Sequence, residues 1–338
     1  MDIQKKIDSL VRLGEIILEG NKLLEEAKIK AYRDNNWFTE EQVDKALNAI
    51  AKGMLDRNVL QSFSDIYHLD SNIQRHKVGL IPAGNIPLVG FHDVICCFLS
   101  NKQVRIKLSD KDKNLLPALI KLIAKDFPEI NEYIDFVDKL SDFDAIIATG
   151  SNNTNRYFEH YFKAYPKILR KNRSSLAVLD GSESEDELRS LANDAFSYFG
   201  LGCRSISKVY IPLDYDVTKL FPAFSDFQHY KDHHKFRNNF EYNTANLLLN
   251  EDEFLTDDVF ILKEDKSLLS RISILHYERY NGLDKLANEL ESIEDQLQCV
   301  SSNKAIGKLK TIPLGLTQQP SMTDYADGVD SVQFLLGL

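Results

Sequence analysis

Basic residues are in deficit. The 338-residue chain carries 41 Lys and Arg against 51 Asp and Glu, a formal charge of −10, with a pI near 5.4. Phosphate backbones are bound by net-basic faces, so nucleic acid is excluded as the main partner. Cysteine is scarce as well. Cys96, Cys97, Cys203 and Cys299 are the only four, and no two form a CxxC pair, which excludes a disulfide framework and a cysteine-rich zinc site. Long apolar runs are missing. The longest nearly uncharged stretch, Leu88 to Leu99, contains His92 and Asp93 and falls short of the ~20 residues a membrane span requires. Met1-Asp-Ile-Gln-Lys-Lys lacks the charged, apolar, small-residue order of a signal peptide, and the expectation is a cytosolic protein. There is no internal repeat, low-complexity segment or Gly/Ser linker, and no GxGxxG or P-loop pattern. What is present, 43% apolar and 27% charged residues, suits a globular chain of roughly two domains.

The chain opens with helical texture. Ile3, Ile7, Leu10, Leu13, Ile17 and Leu18 recur at spacings of three and four, one buried helix face. Thr39-Glu-Glu-Gln42 is a capping box that starts a second helix through Val43, Leu47, Ile50 and Leu55. From Lys77 the texture changes. Val78 to Ile81, Gln103 to Leu108, Tyr133 to Val137 and Asp144 to Thr149 read as strands, and Leu115 to Ala124, Thr154 to Phe162 and Glu185 to Phe199 as helices. After Cys203, strands are expected at Lys208 to Ile211, ended by Pro212, and near Asp258 to Leu262 and Ile272 to His276. Strands alternating with helices at this pace predict βαβ units, a mainly parallel α/β fold, and domains that share strands.

Five places carry residue types with chemical potential. Ala83-Gly84-Asn85-Ile86-Pro87 and Thr149-Gly150-Ser151-Asn152 are strand-to-helix turns, and ligands of open parallel sheets gather at such turns, where helix N-termini offer free amides. Cys203 follows Gly200 and Gly202 and precedes Arg204, so the backbone can approach a ligand and the guanidinium can hold a thiolate. Cys96 and Cys97 lie in an apolar helical run, and Cys299 is assigned to a helix, where a small buried hydrophobe is the default. His229 and His233 are four apart, but the Glu that follows the first His of a zinc-hydrolase helix is missing, so a polar helix is the favoured reading over a metal site. Arg170-Lys171-Asn172-Arg173 is a compact basic run, read as a solvated loop or a phosphate contact.

These pieces resemble, in order and spacing, the acyl-CoA reductase family that includes the fatty-acid reductase subunit of bacterial luminescence, within the aldehyde dehydrogenase superfamily. The resemblance rests on Ala83-Gly-Asn-Ile-Pro-Leu-Val-Gly-Phe-His-Asp93, Ile147-Ala-Thr-Gly-Ser-Asn-Asn-Thr154, Tyr198-Phe-Gly-Leu-Gly-Cys-Arg-Ser-Ile-Ser-Lys208 and Asp324-Tyr-Ala-Asp-Gly-Val-Asp330. It implies two doubly wound α/β domains with a small β extension for oligomerisation. The implied boundaries are a helical region over 1–76, a nicotinamide-cofactor domain over 77–200, a catalytic domain over 201–305, and a return with the β extension over 306–338. By the same resemblance Cys203 is the nucleophile and Asn85 an oxyanion-hole amide. Lys107 and Ser109 stand at the adenosine ribose, and Thr149, Gly150 and Ser151 beside the pyrophosphate. The implied activity is NADPH-dependent reduction of a long-chain acyl-CoA or acyl-carrier thioester by a homo-oligomer. NADH remains open, because Asp110 beside Lys107 opposes a 2′-phosphate. The alternatives are a CoA-acylating dehydrogenase of short aldehydes or semialdehydes, and a thioester acyltransferase or hydrolase without nicotinamide. The chain departs from the superfamily at Leu169 to Arg173, where dehydrogenases carry a water-activating glutamate, and near Lys266 to Arg271, where no ribose-binding glutamate stands.

Overall fold

The computed structural model describes residues 1–71 and 74–338. The chain divides into two compact units, residues 1–172 with 320–338, and residues 173–319.

The first unit begins with four helices, α1 (Ile3–Glu19), α2 (Lys22–Asp34), α3 (Glu40–Gly53) and α4 (Arg57–Tyr67). The predicted α1 stripe faces inward, with Ile7, Leu10, Leu13 and Ile17 in the core. Thr39 caps α3 by accepting from the Gln42 amide at 3.4 Å. Strands β1 (Lys77–Ile81), β2 (Gln103–Ile106), β3 (Ile134–Phe136), β4 (Ala145–Thr149) and β5 (Lys167–Arg170) follow, with α5 (Phe91–Leu99), α6 (Leu115–Ile123) and α7 (Asn152–Tyr161) between them. All pair in parallel in the order β3-β2-β1-β4-β5. The central strands β1 and β4 read as unbroken apolar runs because both faces are covered. The order reverses between β1 and β4, which makes their carboxyl ends the switch point of the sheet.

The second unit holds β6 (Ser174–Val178), α8 (Glu185–Phe196), β7 (Ile206–Pro212), α9 (Leu220–Ala223), α10 (His234–Leu249), β8 (Leu255–Thr256), β9 (Ile261–Glu264), β10 (Ile274–Tyr280), α11 (Leu283–Glu291), β11 (Leu297–Ser301) and β12 (Thr311–Ile312). Its sheet runs β12-β11-β6-β7-β10-β9-β8, and only β8 with β9 is antiparallel among the described pairs. After Gln319 the chain returns to the first unit and ends with α12 (Ser331–Leu336).

Several expectations need correction. The units part at Asn172/Arg173 and Gln319/Pro320, not at 200/201 and 305/306. No strand is shared among the described residues; each unit has its own sheet. Within 306–338 the named strand is β12, which pairs with β11 inside the second sheet. Helix α8 stops at Phe196 rather than Phe199, because Tyr198 and Phe199 turn left-handed (φ 55° and 56°). That conformation costs about 1–2 kcal/mol per residue. Burial of both rings offsets it, since Phe199 packs on Tyr230 at 4.3 Å and on His233 at 4.6 Å. Cys299 lies on β11, not on a helix, and is buried.

Candidate active site

The first unit gathers the predicted cofactor residues and Asn85 at one sheet edge. Asn85 lies in the turn after β1, Lys107 and Ser109 follow β2, and Thr149, Gly150 and Ser151 end β4. All three strands are parallel and present their carboxyl ends there. The turn of Asn85 is seated by close packing. A Cβ on Gly84 would lie 2.5 Å from Ser109 Oγ and 2.8 Å from Ser109 Cβ, so only glycine lets the two loops meet. Leu88, with φ 61°, donates its amide to Asp112 at 2.8 Å. Burial raises the Asp112 carboxyl to about 6, against the lowering effect of that amide. Asn85 itself is exposed, as are Lys107 and Asp110.

The β4 turn is held differently. Ser151 caps α7 by accepting from Thr154 N at 3.2 Å. The other first-turn amides of α7 have no acceptor within the helix. Asn155, buried, donates to the carbonyls of Gly150 (3.0 Å) and Arg170 (2.7 Å). Asn155 and Asp112 were missed by sequence reasoning, since a single amide or carboxylate in a polar stretch gives no pattern.

Arg170 is neither solvated nor presented to a phosphate. Its guanidinium grips Asp93 through both η nitrogens, one of them at 2.8 Å, and donates to Ser331 at 2.8 Å. The two side chains are 7% and 3% exposed. Burial alone would raise the Asp93 carboxyl, but the charge and hydrogen bonds of Arg170 outweigh it and hold it below the usual carboxylate range. Lys171 is exposed, and its amide donates to Asp327 at 3.1 Å.

Cys203 belongs to the second unit, in the turn immediately before β7. It is exposed, whereas Cys96, Cys97 and Cys299 are buried at 0%, 0% and 4% exposure. Burial pushes the thiols of Cys96 and Cys97 well above their ordinary range, leaving them poor nucleophiles. The Cys203 carbonyl accepts from Ser175 Oγ at 2.8 Å, and Gly202 O accepts from Ser205 N at 3.1 Å. Arg204 spends its Nε–H on the Thr317 carbonyl at 2.6 Å.

The histidine pair does not share a helix face. His229 lies on a 3-10 turn packed edge-on to Tyr230, whereas His233 caps α10 by accepting from Phe236 N. No group of three His, Cys, Asp or Glu side chains suited to a metal occurs among the described residues.

The residues present suit a dinucleotide in the first unit: the switch point of a parallel sheet, an α7 N-terminus capped by Ser151, and a hydroxyl and an ammonium beyond β2. Comparison with known proteins agrees with this architecture. The profile of the family described as acyl-CoA reductase (LuxC) matches residues 16–219. No curated protein sequence matches. Aldehyde dehydrogenase 21 from Physcomitrella patens, solved with the product succinate, superposes with a TM-score of 0.66 at 11% identity, covering 100% of this chain and 84% of its own. An aldehyde dehydrogenase C mutant from Pseudomonas syringae, solved with NAD+ and octanal, gives 0.59 at 12% identity, with 89% and 72% covered. The NADP-dependent glyceraldehyde-3-phosphate dehydrogenase from Bacillus halodurans, solved with NADP, gives 0.58 at 14% identity, with 89% and 74% covered. The fold is that of the aldehyde dehydrogenases.

Proposed function

The chain belongs to the acyl-CoA reductase (LuxC) family, and from that premise we propose that it reduces a long-chain fatty acyl thioester to an aldehyde through an acyl-enzyme on Cys203. The observation that carries the reading is the contrast among the cysteines. One is exposed in a glycine-flanked turn, and the three others are buried.

The Cys203 thiolate attacks the thioester carbonyl, a C–S bond forms to the enzyme, and the carrier leaves as its own thiolate. By family resemblance, the Asn85 side-chain amide and the Cys203 backbone N–H are the proposed oxyanion donors, each worth about 3–4 kcal/mol in comparable sites. By the same resemblance, Lys107 and Ser109 would hold the adenosine ribose of the cofactor, and Thr149, Gly150 and Ser151 would contact its pyrophosphate. When bound, the reduced nicotinamide supplies the hydride that turns the acyl group into an aldehyde. Cys203 is then released as thiolate, ready for the next thioester.

By family resemblance, the stretch Leu169 to Arg173 stands where a dehydrogenase of the superfamily carries its base, and it holds no carboxylate to activate water against the acyl-enzyme. NADPH is the proposed reductant, by family resemblance. NADH is the second reading, because the exposed Asp110 carboxylate near Lys107 opposes a 2′-phosphate.

The test is to incubate the protein with labelled acyl-CoA without cofactor, digest it and locate the label, then add NADPH or NADH. Label on Cys203 that persists in buffer and discharges as aldehyde on addition of reductant is expected. Label on another cysteine, rapid hydrolysis in buffer, or no aldehyde with either reductant overturns the proposal.

A further inference from the structure

Gly315 to Gln318 contains no residue that sequence patterns single out, yet it ties down the turn of Cys203. The Thr317 carbonyl accepts the Nε–H of Arg204 at 2.6 Å, and Gln318 Nε2 donates to Ser205 Oγ at 3.4 Å. The two residues that follow the nucleophile are thus both anchored to this segment.

The segment is itself held by one carboxylate. Asp194 of α8, fully buried, accepts from Gly315 N at 2.7 Å and from Thr317 N at 3.1 Å. Its own carbonyl accepts from Gln318 Nε2 at 3.1 Å. Gly315, with φ 90°, packs so closely on α8 that a Cβ there would lie 2.9 Å from Ser190 Cβ. Burial raises the Asp194 carboxyl to about 6, with the two amides and the charge of Arg204 acting in the opposite sense. Keeping an acid at such a place costs stability, and it has two backbone donors to organise in return.

We infer that Asp194 is a positioning residue for the nucleophile: it fixes Gly315 to Gln318 against α8, and through Thr317 and Gln318 it fixes Arg204 and Ser205 beside Cys203. The inference rests on Cys203 being the nucleophile of the proposed reaction. Asp194 touches no reacting atom. Its proposed effect travels through Arg204, the residue next to Cys203 in sequence, whose tethered guanidinium is the cation we assign to favouring the thiolate.

In Asp194→Asn, one acceptor oxygen becomes an amide that opposes a backbone N–H, so at least one clamp bond is lost and the segment loosens. The experiment is peptide-resolved alkylation of Cys203 by iodoacetamide across pH in the full chain. Asp194→Asn is expected to move the midpoint of the Cys203 profile upward by about half to one pH unit and to slow alkylation at pH 7 by about 3–10-fold, as a loosened cation implies. If Asp194 acted only through its own negative charge, removing it would move the midpoint down. Arg204→Ala is expected to shift the midpoint in the same direction, and adding Asp194→Asn to it is expected to produce no further shift. A midpoint that is unchanged or lower in Asp194→Asn, or two shifts that simply add, overturns the inference. If Asp194→Asn does not fold, Asp194→Glu keeps the charge, displaces the carboxylate by one methylene, and is expected to shift the profile upward by less. Alkylation uses neither thioester nor cofactor. A protein whose Cys203 is never acylated by acyl-CoA therefore refutes the reductase reading while leaving the alkylation result intact, and the converse also holds.

Discussion

Replacing Arg170 by Met strands a carboxylate. Asp93 is 3% exposed and takes both η nitrogens of Arg170, with Ser331 as its remaining described donor at 3.4 Å. Removing one partner of a buried ion pair costs about 3–5 kcal/mol, because the other charge is left in an apolar place. The size of the loss depends on pH in a direction the pair itself sets. In the native protein the Asp93 carboxyl is held below its ordinary value of 3.8, so its contribution is present above that value and is lost as pH falls through the folded one. In Arg170→Met the same carboxyl, desolvated and uncompensated, shifts upward instead, and the variant is least impaired near pH 4 and most impaired near pH 8. Changing both residues, Arg170→Met with Asp93→Leu, removes the charge as well as its partner. That double variant is expected to return to within about 1–2 kcal/mol of the native protein, the Ser331 hydroxyl accounting for the remainder. Urea unfolding is readily followed here. The single tryptophan, Trp37, packs against the core of the unit that contains the pair, so its fluorescence reports that unit. A loss below about 1 kcal/mol at pH 7.5 in the single variant, or a double variant no more stable than the single one, refutes the reasoning.

Asn85→Ala is expected to slow acylation of Cys203 by roughly 10²–10³ with the unfolding transition unmoved, and full acylation activity in a stopped-flow thioester assay removes Asn85 from the site. Gly84→Ala is expected to destabilise by about 1–3 kcal/mol, since its Cβ would meet Ser109 at 2.5 Å; combining it with Ser109→Gly clears both Ser109 contacts, leaves only Lys111 Cβ at 3.1 Å among the three nearest, and should recover most of the loss in thermal unfolding. Asp112 titrates at about 6 in the folded state against 3.8 ordinarily, so the native protein binds the extra proton and this group's contribution to stability falls as pH rises from about 4 to 6. Asp112→Asn is expected to flatten that part of the stability profile, and an unchanged slope would show that another group produces it.

The strand-to-helix turns were legible because each is a local signal. Gly84-Asn85 and Gly150-Ser151 announce themselves after apolar strands, and Ser151 caps its helix as such a residue should. The α1 stripe and the alternation in Gln103 to Ile106 were legible for the same reason. Arg170 was misread because its partners lie 77 and 161 residues away, and nothing within the basic run distinguishes a buried guanidinium from a solvated one. The run also concealed β5 and β6, which flank it directly. Cys299 was placed on a helix although Leu297-Gln-Cys-Val-Ser alternates as a strand does. Asp194 did leave a trace. It falls on the inward face of α8, beside Leu191 and Ala195, where a lone acid is uncommon enough to suggest a buried partner. The left-handed pair Tyr198 and Phe199 left none, since only their tertiary packing selects that conformation.

The first unit is written in two instalments. During synthesis, residues 173–319 emerge after the first 172 and before the tail segment 320–338, which belongs to the same body as those 172. Until that tail arrives, Tyr67 waits for Asp330, His92 for the carbonyl of Met322, and Arg170 for the hydroxyl of Ser331. The inserted unit is continuous in sequence and can close first, since domains generally fold as units while the chain is being made. The earlier-made body therefore matures last, and shortening the chain at Gln319 would remove the final stitches of the unit that begins it rather than those of the unit just before the cut.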